Sequence, residues 1–127
     1  MKSRFYVCED CKSIVELVDG GDTSIDCCGG KLKELKANTS DGATEKHVPE
    51  VEINGNIATV KVGSVFHPMT DAHYIGWVAL FTNEGVYRKK LEPGKDPVVK
   101  FLLSDSEKIS SVYAYCNEHG LWEKKNS

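Results

Sequence analysis

Nowhere does the chain carry an apolar run of about eighteen residues, the length a membrane-crossing helix needs. Met1 leads through Lys2, Ser3 and Arg4 straight into a cysteine-bearing segment, without the apolar stretch of a secretory signal. The expectation is a soluble, cytoplasmic protein. Excess charge of one sign is also lacking: 16 Lys and Arg against 19 Asp and Glu leave -3. No overall positive field exists to hold a phosphate backbone or an anionic membrane, so neither nucleic acid nor membrane is expected as a partner. Internal repeats and low-complexity tracts are missing as well. What remains is 127 residues, 40% of them hydrophobic, enough for one modest core or two small ones.

Against these absences stand five cysteines and four histidines. An odd cysteine count without a secretion signal argues against a disulfide framework and towards metal ligation. The two residue types are segregated: four cysteines fall within the first 28 residues, and every histidine lies after residue 46. Between them runs Ala37-Asn38-Thr39-Ser40-Asp41-Gly42-Ala43-Thr44, small and polar, which reads as a linker between segments 1–36 and 45–127.

The first segment is too short to bury a useful core, and a unit of this size needs a metal or disulfide staple, so its fold is expected to depend on its cysteines. Phe5 to Val7, Ile14 to Val18 and Lys31 to Leu35 are short β-prone pieces, with a turn at Asp19-Gly20-Gly21-Asp22. Cys8-Glu9-Asp10-Cys11 puts two thiolates on one tight turn, and Cys27-Cys28 follow before Gly29-Gly30. The four sulfurs form a four-thiolate site, and ligand type alone does not separate zinc from iron. Zinc ribbons and rubredoxin use two separated Cys-x-x-Cys pairs, whereas the second pair here is adjacent, which should distort a tetrahedron.

The second segment reads as all-β, with β-branched and aromatic runs between turn signals and no helix-period stripe. Val51 and Ile53 lead into Asn54-Gly55, suited to a type I′ hairpin turn, and Ile57 to Val62 places Ala58, Val60 and Val62 on one face. Tyr74 to Phe81, apolar on both faces, reads as a central strand. Val86 to Leu91, Val98 to Leu103 and Ser111 to Tyr115 add strands, broken at Glu92-Pro93-Gly94 and Ser104-Asp105-Ser106. Six or seven strands in about 80 residues predict a small immunoglobulin-like β-sandwich. His47, His67, His73, Cys116 and His119 fall at strand ends or in loops, positions that can converge at one end of a sandwich. Any one histidine is more often a surface group than a ligand. A Cys-x-x-His pair with a His-x5-His pair is a more specific signal, and five ligands suit a metal that accepts five or six, such as iron.

The motifs Cys8-x2-Cys11-x15-Cys27-Cys28, Glu45-Lys46-His47-Val48-Pro49, Val65-Phe66-His67-Pro68-Met69 with His73-Tyr74-Ile75, and Tyr115-Cys116-Asn117-Glu118-His119-Gly120 together resemble the desulfoferrodoxin family, the two-iron superoxide reductases, along nearly the whole chain. The adjacent cysteine pair is that family's usual arrangement. The resemblance implies a rubredoxin-like iron domain over 1–36 and a β-sandwich iron domain over 45–127. Cys8, Cys11, Cys27 and Cys28 would bind the first iron. His47, His67, His73 and His119 would form the equatorial plane of the catalytic iron, with Cys116 axial and the sixth position open. The family reduces superoxide by one electron to hydrogen peroxide, drawing on rubredoxin or a similar donor, and is typically dimeric. Lys46 matches its anion-attracting lysine, and Glu45 the carboxylate that can occupy the sixth position of ferric iron. Two other readings compete: a non-catalytic protein with two structural zinc sites, and a pure iron electron carrier.

Overall fold

A computed structural model describes residues 4–20, 25–39 and 42–125. The chain divides into two compact units, Met1–Lys36 and Ala37–Ser127, and the 37–44 stretch is counted with the second.

In the first unit, β1 (Phe5–Val7) lies between β2 (Ile14–Glu16) and β5 (Lys33–Glu34), antiparallel to both, and β3 (Asp26–Cys27) pairs with β4 (Gly30–Lys31). Every strand is two or three residues long. Phe5, Tyr6 and Cys8 are its buried apolar residues among those described. Three side chains make too small a core to hold such short strands alone, so closure falls to the cysteines. β2 ends two residues sooner than the β-prone run, leaving Val18 exposed. Gly21 and Asp22 of the expected turn lie outside the described residues.

The second unit is a sandwich of two antiparallel sheets. One has the order β10-β7-β6, from β6 (Pro49–Asn54), β7 (Ile57–Val62) and β10 (Val98–Leu102). The other has the order β12-β11-β8-β9, from β8 (Ile75–Thr82), β9 (Val86–Lys90), β11 (Ile109–Cys116) and β12 (Gly120–Lys125). Ala58, Val60 and Val62 are fully buried, as the period-two alternation of β7 requires, and meet Val78, Leu80, Val112 and Ala114 of the other sheet. Residues 78–81 of β8 are all buried, consistent with a central strand covered on both faces.

Three features depart from the sequence pattern. The hairpin turn centres on Gly55 and Asn56, because Asn54 pairs with Ile57; only Gly55 has a positive φ (+61°), the pattern of a type II′ turn rather than type I′. β12 was not signalled by alternation, because Leu121 and Trp122 are both buried and the rest of the strand is charged or polar. A single helical turn, α1 (Thr44–His47), stands where no helix was expected.

Candidate metal centre

Each donor is placed by a specific local device. His47 ends α1, a turn too short to persist alone and held instead by tertiary hydrogen bonds. The Glu45 carbonyl accepts from the Val65 N–H at 2.9 Å and the Ser64 hydroxyl at 3.2 Å. Gly63, at φ +87°, makes this approach possible, because a Cβ there would stand 2.7 Å from both the Glu45 carbonyl oxygen and the Lys46 Cα. His67 follows in the same loop, its N–H donating to the Val62 carbonyl at 3.1 Å. His73 precedes β8, with its backbone N–H on the Thr70 hydroxyl. Cys116 ends β11 where the register against β8 slips: Tyr115 faces Trp77 but Cys116 faces Ile75, so Gly76 is the extra residue of a bulge. The slip turns Ile75 inward opposite Cys116, and both are fully buried. His119 occupies the turn that closes β11 onto β12.

The donors converge in two separate sets, the same sets into which the motifs divide them. His47, His67, His73, Cys116 and His119 present donor atoms all within 4.8 Å of one another, and so do Cys8, Cys11, Cys27 and Cys28. The four imidazoles form a closed ring. Successive ring centroids lie 4.5 Å (His47–His67), 4.6 Å (His67–His73), 5.0 Å (His73–His119) and 4.8 Å (His119–His47) apart, while the diagonal His47–His73 measures 6.3 Å.

Hydrogen bonds on the far sides of the rings decide which nitrogens face inward. His47 Nδ1 donates to the Ala43 carbonyl at 2.7 Å and His67 Nδ1 to the Pro68 carbonyl at 2.6 Å. A carbonyl only accepts, so in each neutral ring Nε2 carries the lone pair. His47 Nε2 and His67 Nε2 nevertheless stand 3.1 Å apart, and His47 Nε2 lies 3.0 Å from His119 Nδ1. Two facing lone pairs repel unless a cation lies between them. A shared proton is a poor candidate, because burial and the neighbouring imidazoles lower the His47 pKa and take that of His67 down to about 4. A metal ion fits. Nitrogens about 2.1 Å from one ion stand about 3.0 Å apart at the corners of a square, and about 3.4 Å apart at tetrahedral corners. His73 Nε2 is buried without a hydrogen-bond partner, while its Nδ1 faces the Glu118 carboxylate at 3.3 Å. That outer contact directs the bare nitrogen inward.

The Cys116 thiol is pushed up by burial, an effect opposed by backbone N–H groups of His119 and Glu118. The His119 N–H reaches Sγ at 3.4 Å. A buried thiolate thus needs a cation beside it, and the same ion would provide it.

The four-cysteine group has a different shape. Cys11 Sγ lies 3.8 Å from Cys27 Sγ, and Cys27 Sγ lies 3.9 Å from Cys28 Sγ. These separations exclude disulfides and match the roughly 3.8 Å edge of a tetrahedron of sulfurs about 2.3 Å from an ion. The adjacent pair converges because Cys28 itself takes a left-handed conformation (φ +54°), followed by Gly29 at +80°. Gly30 already belongs to β4. The Ser13 hydroxyl and backbone, with the Cys8 and Cys27 thiols, hold the Cys11 pKa down to about 6, while hydrogen bonds that the Cys27 thiol donates to Cys8 and Cys11 push Cys27 up.

Lys46 and Glu45 both lie on α1 and are exposed; the Glu45 charge is close enough to raise the His47 pKa slightly against burial. Sequence reasoning passed over three residues at the site. Glu118 lies inside the Cys-x-x-His motif, Ser64 lies beside His67, and Trp122 is a buried aromatic in an otherwise polar tail. Only Trp122 carried a signal that composition could have flagged.

A β-sandwich with a four-imidazole, one-thiolate cluster, in a chain that also bears a four-cysteine knuckle, has two groups of side chains that could each hold a metal ion. A family model for desulfoferrodoxin matches residues 39–125. The chain is 45% identical to a desulfoferrodoxin homolog of Archaeoglobus fulgidus, over 93% of each chain, and 42% identical to the desulfoferrodoxin of Nitratidesulfovibrio vulgaris, over 93% of this chain and 92% of that one. The superoxide reductase of Treponema pallidum superposes with a TM-score of 0.82 at 36% identity, covering 98% of this chain and 100% of that one. The superoxide reductase (1Fe-SOR) of Giardia intestinalis covers 65% of this chain and 98% of its own at 40% identity, with a TM-score of 0.56. This chain belongs to the desulfoferrodoxin family.

Proposed function

We propose that the protein is a superoxide reductase, converting superoxide, one electron and two protons into hydrogen peroxide without releasing oxygen. The observation that carries the reading is the convergence of four imidazoles and one thiolate, whose donor atoms all lie within 4.8 Å of one another. In this reading His47, His67, His73, His119 and Cys116 hold the catalytic iron, and Cys8, Cys11, Cys27 and Cys28 hold a second iron. Iron held by these four imidazoles and one thiolate would supply a one-electron reductant for the anion. Zinc, satisfied by four ligands, would leave one of the five donors idle.

The chain's own residues do the rest. Lys46 supplies local positive charge to draw an anion towards a protein of net charge -3. The Glu45 carbonyl, pinned by Val65 and Ser64, fixes the backbone from which both Glu45 and Lys46 project. Glu45 would offer a carboxylate ligand to the ferric form of the iron. Cys116 would supply thiolate electron density to the iron, and the Nδ1 hydrogen bonds of His47 and His67 anchor one point of each ring. The natural setting consistent with this chemistry is a homodimer in the cytoplasm, reduced by rubredoxin or a similar small donor. No helix among the described residues is long and apolar enough to cross a membrane.

The test is stoichiometry. The reduced, iron-loaded protein should form one peroxide for each superoxide consumed and evolve no oxygen. One peroxide for every two superoxides, with oxygen evolved, would make it a dismutase, and two zinc ions per chain would overturn the reading altogether.

A further inference from the structure

Two of the four histidines are touched by one further side chain, His47 at its ring and His119 at its backbone carbonyl. The Trp122 indole stacks on the His47 ring, with centroids 4.8 Å apart and planes 29° from parallel, and donates its Nε1–H to the His119 carbonyl at 3.1 Å. Trp122 is 3% exposed. The corner is tight: a Cβ on Gly42 would stand 3.1 Å from His47 Cε1, 3.2 Å from Trp122 Cζ2 and 3.3 Å from His119 Cγ. Nothing larger than glycine fits there without displacing a ring.

The two histidines need this help for different reasons. The bond from His47 Nδ1 to the Ala43 carbonyl fixes one point of the ring and leaves it free to tilt about that bond. A flat surface against its face removes the tilt. His119 presents Nδ1, the ring nitrogen nearer the backbone, so any movement of its main chain passes almost directly to the donor atom. The indole N–H holds that main chain by its carbonyl.

We propose that Trp122 is a positioning residue of the metal centre: it sets the His47–His119 edge of the imidazole ring, the 3.0 Å contact between Nε2 and Nδ1. The inference rests on the iron-site reading above. Because Trp122 belongs to β12, it also ties the geometry of the site to an edge strand of the sandwich.

The test uses the full chain, loaded with iron, in two variants. Trp122→Leu removes both stack and hydrogen bond, whereas Trp122→Phe keeps an aromatic face and removes only the N–H. Two readouts apply: release of iron to a ferrous chelator, and the thiolate-to-iron charge-transfer absorption of the oxidised Cys116 site. Trp122→Leu should release iron from that site about tenfold faster or more and shift its absorption, with the four-thiolate absorption unchanged. Trp122→Phe should restore most of the absorption and release iron about fivefold faster, the worth of one hydrogen bond. Parental release and absorption in both variants would overturn the proposal. If Trp122→Leu does not fold, Trp122→Phe decides alone, and a parental rate overturns it. A parent chain binding iron only through its four thiolates would overturn the reading of the centre, and this inference with it.

Discussion

His67 is 2% exposed, its pKa is held near 4 by burial, and three other imidazoles crowd it. Such a ring is neutral at pH 7 and ready to bind a cation. The sign of the pH effect follows. Once unfolded, His47 and His67 titrate near the ordinary 6.5, so between that value and about 4 the unfolded chain binds more protons than the folded one. The apoprotein should therefore lose stability steadily as pH falls through this window, and be indifferent to these two groups above it. Urea midpoints of the metal-free chain at pH 7.5, 6 and 5 check this; a midpoint unchanged at pH 5 would refute it.

Lys46 presents the opposite case, an exposed charge whose proposed role is to act at a distance. Lys46→Ala should lower the second-order rate of reaction with superoxide about tenfold at low salt and flatten its dependence on ionic strength, because steering is screened by salt. Stopped-flow or pulse-radiolysis rates across a salt series measure both. Equal rates and slopes for variant and parent would remove Lys46 from the mechanism.

Among the elements, β12 is an edge strand that is not left open. Asn38 lies beside it at φ +62°: its backbone N–H donates to the Leu121 carbonyl, its side-chain amide donates to the Glu123 carbonyl at 3.1 Å, and its side-chain oxygen accepts from the Glu123 N–H at 2.8 Å. One residue thus does the pairing of a short extra strand and covers the edge that carries Trp122. Asn38→Ala should cost about 2 kcal/mol, from exposed hydrogen bonds lost and from a Cβ residue without a polar partner in a left-handed conformation. Asn38→Gly, which removes the strain but not the loss of bonds, should cost about half as much. Equal losses for the two, read from urea unfolding, would show that the backbone angle contributes nothing.

The elements also divide by how far they were legible. β7, β8, β10 and β11 were legible because strands packed on a core must alternate or be apolar throughout, and Val60, Leu80 and Val112 sit where that rule places them. α1 was not, because its stability comes from Ser64 and Val65, about twenty positions away in the chain. β12 was missed for a similar reason: Leu121 and Trp122 are neighbours and both buried, the second against the His47 ring rather than within the main core.

At the scale of the whole molecule, the two units are stabilised by different means. The sandwich has its own dozen-residue buried cluster, whereas the first unit has a few buried side chains and four converging cysteines. Removing metal with a chelator should therefore unfold residues 4–36 while the sandwich keeps a cooperative transition. Hydrogen exchange resolved by segment would show it: amides of β1 and β5 should lose protection while those of β8 and β11 keep theirs. Retained protection in β1 would mean that the first unit folds without its metal.

The sequence by itself determined the chemistry. The partition of five cysteines and four histidines, the Cys-x-x-Cys and Cys-x-x-His spacings, and the run at Glu45-Lys46-His47 are covalent facts, and they name the donors and their grouping. Only the tertiary structure decided which nitrogen of each ring faces inward, the order of the rings around the square, and the side chains that hold them there. Those choices rest on contacts between residues far apart in the chain, such as Trp122 on His47 and Gly63 beneath Lys46. A local pattern has no means of recording which distant backbone carbonyl or ring a side chain will meet. The fold settles that by bringing them within hydrogen-bonding and stacking distance.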